Sequence, residues 1–441
     1  MQPSQSIQLM KYLSSYVKIY RDDNKAGMIY SALTGGIAFV ETDFEERLKE
    51  DSLTSEEISA LEEMGLLVES IDEERKKIAG LLDRWNETRR SLNAIVAVNL
   101  QCNLACKYCF EGDRKAADTE MSRETADQLV EFLVKRMPDN EKVRIDFYGG
   151  EPLLSVSLIQ YISERMVKAV KERGLTYEFS LVTNGTLLTA GVVDALLPLG
   201  LKQAKITLDG PSDLHNSQRP RKGGGGSFET IVENVKHACK RVTIQIGGNF
   251  GRDNYRRFPE LLDHLLDIGL RPSDIAAVKF DPIVQTEARL LPSFSGGCRS
   301  INEPWLWEAG IHLREEILKR GFATVPITIG PCMVYCEKEF VVNHDGSLYK
   351  CPGFICDERY CIGRLDDEKI SESDVYMPDL WKNDRCLKCA YLPLCFGGCR
   401  YMEFVRRGEI GSVDCRMDFF DATLGPFIMQ EVRHAGGIDA A

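Results

Sequence analysis

Cys102, Cys106 and Cys109 stand within one short loop, and ten more cysteines follow between Cys332 and Cys415, out of fifteen in the chain. Only Cys239 and Cys298 lie apart from these two groups. A disulfide framework belongs to small secreted domains, whereas this chain has 441 residues and begins MQPSQSIQLMKYL, without a basic-then-apolar signal pattern. In a reducing compartment clustered cysteines bind metal or do chemistry, so a cytoplasmic metalloprotein is expected. The net charge of −12 argues against nucleic acid as a partner, which would need a basic face. No stretch approaches the roughly 20 apolar residues of a membrane span.

Around these cysteines the hydrophobic pattern divides the chain into three. Residues 1–90 read as a small winged-helix-like module with a connector. YVKIY, from Tyr16 to Tyr20, alternates like a strand, and Met28–Tyr30 follows a turn-like segment. Thr54 with Glu57 three residues on marks a helix start, Gly65 ends that helix, LLVES is a short strand, and Asp72–Arg90 is a polar connecting helix. Residues 91–325 alternate strand and helix. The strands are Ala94–Leu100, Val143–Phe147, Glu178–Val182, Gln203–Leu208, Val242–Ile246 and Ala276–Phe280, with amphipathic stretches such as Thr125–Met137 and Leu158–Arg173 between them. Six such units imply an α/β fold, a parallel sheet wrapped by helices as a partial barrel, with ligands at the carboxyl ends of the strands. Residues 326–441 are rich in cysteine and loop, so clusters rather than a large apolar core are expected to organise them.

CNLACKYC follows directly on the strand AIVAVNL. Its CxxxCxxC spacing supplies three soft thiolates to a 4Fe–4S cluster and leaves one iron open to chelate a small molecule by an amino and a carboxylate group. Zinc would want a fourth ligand and prefers CxxC pairs, and no histidine is close by.

CNLACKYCFEG resembles the signature of radical S-adenosylmethionine enzymes. The resemblance implies that Cys102, Cys106 and Cys109 hold the catalytic cluster and that Tyr108 packs near the adenine. FYGGEP resembles the family's GGEP motif, in which Gly149, Gly150 and Glu151 hold the methionine amino group. Glycines let backbone carbonyls approach an ammonium and a carboxylate adds charge, although the string alone is also a turn sequence. LVTNG and ITLDGP resemble the ends of the family's middle strands. That makes Thr207 a candidate for a ribose or carboxylate contact and Arg219, in HNSQRP, one for the methionine carboxylate; the residues alone also allow surface turns. GGGGS at Gly223–Ser227 lacks the lysine of a phosphate loop and reads as a flexible loop near the site.

The C-terminal cysteines, in Cys386-x2-Cys389-x5-Cys395-x3-Cys399 with Cys415, preceded by Cys332 and Gly346-x4-Cys351, resemble the SPASM domain with its two auxiliary 4Fe–4S clusters. By that resemblance Cys386, Cys389, Cys395 and Cys415 bind one cluster and Cys332, Cys351 and Cys399 the other. The fourth ligand of the latter is Cys336 by preference, with Cys356, Cys361 or an open iron as alternatives, and paired structural zincs are what the spacing alone would also allow.

The resemblance covers roughly Ala94 to Asp421 and implies three 4Fe–4S clusters, S-adenosylmethionine, and a reductant such as flavodoxin or ferredoxin. It also implies hydrogen abstraction by a 5′-deoxyadenosyl radical. Residues 14–70 resemble the element by which peptide maturases grip a leader, adding it as a strand to a sheet edge, or they merely cover the barrel. The expected substrate is therefore a precursor peptide with a leader, and the expected product a thioether from cysteine. FYGGEPLLS, LVTNGTLLT and the GGGSF loop look similar to geopeptide maturases. A sulfatase-maturase-like protein oxidase is the alternative, weakened because that group carries an aspartate where Pro352 follows Cys351. A non-catalytic iron–sulfur electron carrier is the other, with no use for an open iron or GGEP.

Overall fold

In the computed structural model, residues 11–21, 27–109, 112, 119–137, 142–285, 297–370 and 373–435 are described. Six strands pair in parallel in sequence order: Ser91–Asn99 (β1), Lys142–Gly149 (β2), Thr176–Thr183 (β3), Leu201–Thr207 (β4), Thr243–Phe250 (β5) and Ala277–Pro282 (β6). Each expected strand is present, with ends moved by a few residues. The inner positions of β2, Val143, Ile145 and Phe147, are fully buried, and the ring of Phe147 meets Phe179 of β3 edge-to-face at 5.3 Å. Helices Arg123–Arg136 and Val156–Glu172 cover the sheet with apolar faces built from Leu129, Phe132, Leu133, Ile159, Ile162 and Met166. This is the partial (β/α)6 barrel that the alternation implies.

The C-terminal region departs from its expectation. Glu339–Val342 (β7) pairs in parallel with β1, and Ser347–Tyr349 (β8) and Gly363–Arg364 (β9) extend the same sheet to nine strands by antiparallel pairing. Val341, Val342, Leu348 and Phe354 belong to the barrel's own hydrophobic cluster. An apolar core therefore does organise much of this region, because the EFVV run is a strand docked on the barrel edge.

At the N-terminus Val17–Arg21, Gly27–Ser31 and Ile37–Val40 form an antiparallel sheet, and Tyr12–Leu13 pairs with Leu67–Val68. The connector is two helices, Ile71–Ala79 and Leu81–Thr88, broken at Gly80. Thr54 caps helix Ser55–Glu63 as the sequence predicts: its hydroxyl accepts from Glu57 N–H at 3.2 Å and its own N–H donates to the Glu57 carboxylate at 2.7 Å. Thr54→Ala is expected to destabilise this module by about 1 kcal/mol in urea titration. Met28 and Tyr30 pack on Tyr391, Leu424 and Ile428, and Lys18 pairs with Asp421 at 3.0 Å, so the module rests on the cysteine-rich region. Among the described residues no helix is long and apolar enough to cross a membrane.

Candidate active site

The carboxyl ends of the barrel strands surround a cavity of about 490 Å³. Cys102, Cys106 and Cys109 line it from one side, and Cys351 and Cys399 from the cysteine-rich region line it from another. Cys102 is buried, and its sulfur accepts from Leu104 N–H at 3.4 Å and from the Asn184 amide at 3.8 Å, contacts that suit a thiolate. Residues 218–222 clamp the cysteine loop by backbone bonds, among them Ala105 N to Pro220 O at 2.8 Å and Lys222 N to Asn103 O at 3.0 Å. The glycine run that follows is a tight exposed turn, closed by Gly224 N to Arg221 O at 2.9 Å.

Gly149 and Gly150 line the cavity, and packing explains both. A Cβ at Gly149, where φ is +133°, would lie 2.0 Å from Asn99 O, and one at Gly150 would lie 2.1 Å from Gln101 O. The chain entering the cysteine loop thus lies directly against the end of β2. Glu151 is placed differently from its expected role: it does not line the cavity. Its carboxylate accepts from Leu153 N–H at 3.0 Å, Thr183 hydroxyl at 2.7 Å and Asn184 N–H at 2.8 Å, tying the ends of β2 and β3 together. Burial pushes this carboxyl up, and the three donors oppose that shift.

Thr207, Tyr108 and Arg219 also line the cavity. Arg219 donates to the Tyr108 hydroxyl at 2.7 Å, and Tyr108 in turn donates to the Asp209 carboxylate. Asn249 joins by donating its side chain to Tyr108 at 3.1 Å and its N–H to Asp209 at 2.7 Å. Burial raises the Asp209 carboxyl, and the Arg219 charge opposes it. The Nε of Arg219 is buried without a partner, an orphaned donor beside the cavity that fits a carboxylate ligand. His215 braces the group: its Nδ1 accepts from Asp209 N–H at 3.1 Å and its Nε2 lies 3.0 Å from the Ser227 hydroxyl. Burial, aided by the Arg219 charge, lowers its pKa to about 3, so it is neutral. Asn184, Asp209 and Asn249 carry one signal in the sequence, a polar residue at the end of each successive strand, whereas His215 lies in the helix Ser212–Gln218 and carries none.

Cys386, Cys389, Cys395 and Cys415 line a second cavity of about 420 Å³, with Arg416 and Lys388 in its walls. The four expected ligands of one auxiliary cluster are thus brought together. Cys332, Cys351 and Cys399 lie within electrostatic reach of one another. Burial pushes the Cys351 thiol far up, and the nearby Cys332 and Cys399 add to that shift. Cys336, the preferred fourth ligand, is buried beside Lys350 and Glu339 and within electrostatic reach of Cys332; neither Cys332 nor Cys336 lines the cavity that Cys351 and Cys399 share. Cys356 and Cys361 lie near Tyr349. Among the described residues no three His, Cys, Asp or Glu side chains converge as ligands of a single ion.

Residues 96–265 match the model of the Radical SAM superfamily. The chain is 25% identical to a cysteine-type anaerobic sulfatase-maturating enzyme of Clostridium novyi over 70% of this chain and 88% of that enzyme. It is 23% identical to a serine-type anaerobic sulfatase-maturating enzyme of Bacteroides thetaiotaomicron over 71% and 83%. Among solved structures it is similar to anSMEcpe with bound AdoMet, with a TM-score of 0.64 at 19% identity over 77% of this chain and 98% of that one. It is also similar to Streptococcus suis SuiB bound to its precursor peptide SuiA, with a TM-score of 0.52 at 14% identity over 92% and 99%.

Proposed function

We infer the function from one premise: this chain is an enzyme that carries a radical S-adenosylmethionine domain, and the reading proposed is modification of a ribosomally made peptide. The observation that carries it is the single cavity lined by both Cys102, Cys106 and Cys109 and the distant Cys351 and Cys399. An electron carrier needs no such shared, open space. Cys102, Cys106 and Cys109 would hold the catalytic cluster, the backbone at Gly149 and Gly150 and the orphaned Arg219 Nε would orient S-adenosylmethionine, and Tyr108 and Thr207 would bound it. When bound, cluster and cofactor together supply a 5′-deoxyadenosyl radical that removes hydrogen from carbon. Glu151 would position the loop through its bonds to Leu153, Thr183 and Asn184. Cys332, Cys351 and Cys399, and separately Cys386, Cys389, Cys395 and Cys415, would hold two auxiliary clusters, with a flavodoxin or ferredoxin as reductant.

SuiB, solved with its precursor peptide SuiA, supports a peptide substrate, and the sulfatase-maturating relatives support protein oxidation as the second reading. Pro352 after Cys351 favours the first. The product proposed is a thioether: carbon would lose a hydrogen atom to the 5′-deoxyadenosyl radical, the thiol would lose its proton to solvent, and the remaining electron would pass to an auxiliary cluster held by the C-terminal cysteines. The test incubates the reduced enzyme and S-adenosylmethionine with a cysteine-bearing precursor peptide and, separately, a sulfatase-derived cysteine peptide. A precursor lighter by two hydrogens, with one cysteine per bond blocked from alkylation, is expected. A product with every cysteine still alkylatable rejects the thioether, and oxidation of the sulfatase peptide alone selects the second reading.

Leader binding is proposed for the edge strand Ile37–Val40 of the N-terminal sheet, which pairs with only one strand among the described residues and where Phe39 is 54% exposed. Phe39→Asp is expected to weaken precursor binding at least tenfold in fluorescence anisotropy while leaving cofactor cleavage without peptide unchanged. Equal affinity would refute the role. Deleting residues 1–90 is a poorer test, because Met28 and Tyr30 cover Leu424 and Ile428.

A further inference from the structure

Asp281 and Pro282, at the end of β6, line two cavities. One is the catalytic cavity. The other, of about 230 Å³, runs between β6, helix Pro304–Lys319 and helix Met417–His434, and its walls are largely apolar, with Phe250, Phe280, Leu313, Phe419 and Phe427 among them.

Three observations distinguish this side cavity from a packing fault. Gly310 lies in the interior of helix Pro304–Lys319, where glycine costs about 0.5–1 kcal/mol relative to alanine. Its backbone does not need glycine, since its φ is not positive, and beyond its own helix a Cβ would meet only the ring edge of Phe427, at 3.4 Å. The missing methyl keeps the cavity wide. Arg314, whose side chain is 10% exposed, uses its terminal nitrogens on Glu431 at 2.6 Å and Val325 O at 3.3 Å, yet its Nε is buried and without a partner. That leaves an unpartnered donor buried behind the wall of a largely apolar space, whose other polar lining is Lys279, Asp281 and Thr324. Finally, β6 is the last strand of the sheet. Val278 N–H donates to Ala323 O at 2.8 Å on the side away from β5, and by the strand's period of two the backbone of Phe280 faces the same edge. Val325, beside that edge, is 47% exposed.

We propose that this cavity is a specificity subsite for an apolar side chain of the substrate peptide. The peptide runs extended along the outer edge of β6 beyond Val278, at Phe280, and reaches the catalytic cavity past Asp281 and Pro282. An aromatic or branched aliphatic residue fits the walls, and the Arg314 Nε donates to a peptide carbonyl. The proposal rests on the peptide-substrate reading above and adds where, and by what chemistry, the residues flanking the reactive one are selected.

The probe is acetyl-(p-benzoylphenylalanine)-Gly-Cys-Gly-amide, irradiated with the full-length reconstituted enzyme, with the crosslinked segments mapped by mass spectrometry. Crosslinks are expected on helices Pro304–Lys319 and Met417–His434. Gly310→Leu, which fills the cavity, should lower their yield at least tenfold, and Gly310→Ala should lower it less while leaving the melting temperature unchanged or higher. Both variants should form 5′-deoxyadenosine without peptide at the wild-type rate. Crosslinks confined to other segments, or an unchanged yield in Gly310→Leu, overturn the subsite. A wild-type enzyme that crosslinks here but never cleaves S-adenosylmethionine supports the subsite and overturns the proposed function instead.

Discussion

Replacing Cys102, Cys106 and Cys109 together by alanine is expected to abolish formation of 5′-deoxyadenosine and to remove about four of roughly twelve irons, one 4Fe–4S cluster in three. The remaining iron should persist because Cys386, Cys389, Cys395 and Cys415 line a cavity that contains none of the three N-terminal cysteines. Folding should also persist. The loop is held by backbone bonds from residues 218–222 and by the contact of Asn99 and Gln101 with β2, none of which needs the sulfurs. Iron analysis and chromatography of the reaction mixture read both quantities. Cofactor cleavage by the triple variant would mean that the catalytic cluster lies elsewhere.

Gly150→Ala should be nearly as damaging by a different route. The added Cβ would lie 2.1 Å from the oxygen and 2.5 Å from the carbon of Gln101, and both are backbone atoms. No side-chain rotation relieves such a contact, so the chain entering the cysteine loop must move. The change is expected to cost about 3 kcal/mol of stability. It should also lower 5′-deoxyadenosine formation roughly a hundredfold, since a displacement of about 1 Å at reacting groups is worth that much. Gly174→Ala is the control for glycine loss alone: it has a positive φ of 68° but nothing within 4 Å of its Cβ. That variant should lose stability without losing its cofactor chemistry. Equal effects of the two substitutions would show that close packing at Gly150 is not what the site requires.

These two expectations draw on different sources. The cysteine spacing, the strand before it and the glycine pair at the next strand's end were all legible in the chain, because local order and a period of two place them without long-range information. The same holds for the Thr54 cap, whose two bonds join residues three apart. The roles of the polar residues were not legible. Glu151 reads from the sequence as a ligand to an ammonium, and only the structure adds that its carboxylate accepts from Thr183, Asn184 and Leu153, because burial at a strand end leaves donors that need an acceptor. His215 carries no signal and Asp209 only its place at a strand end, and both matter only because Tyr108 and Arg219, from separate loops, converge on Asp209.

What the sequence by itself determined is the order of six strands and helices, the three-cysteine loop and the spacing of the C-terminal cysteines. Hydrophobic period and ligand spacing are written into consecutive residues. The tertiary structure alone decided that β7 docks on β1 and carries the cysteine-rich region into the barrel's core, and that Cys351 and Cys399 open onto the same cavity as Cys102. It also decided that Gly310 widens a side cavity beside Asp281. Each of these depends on contacts between residues far apart in the chain, whose closure is driven by burial of apolar surface rather than by any local pattern.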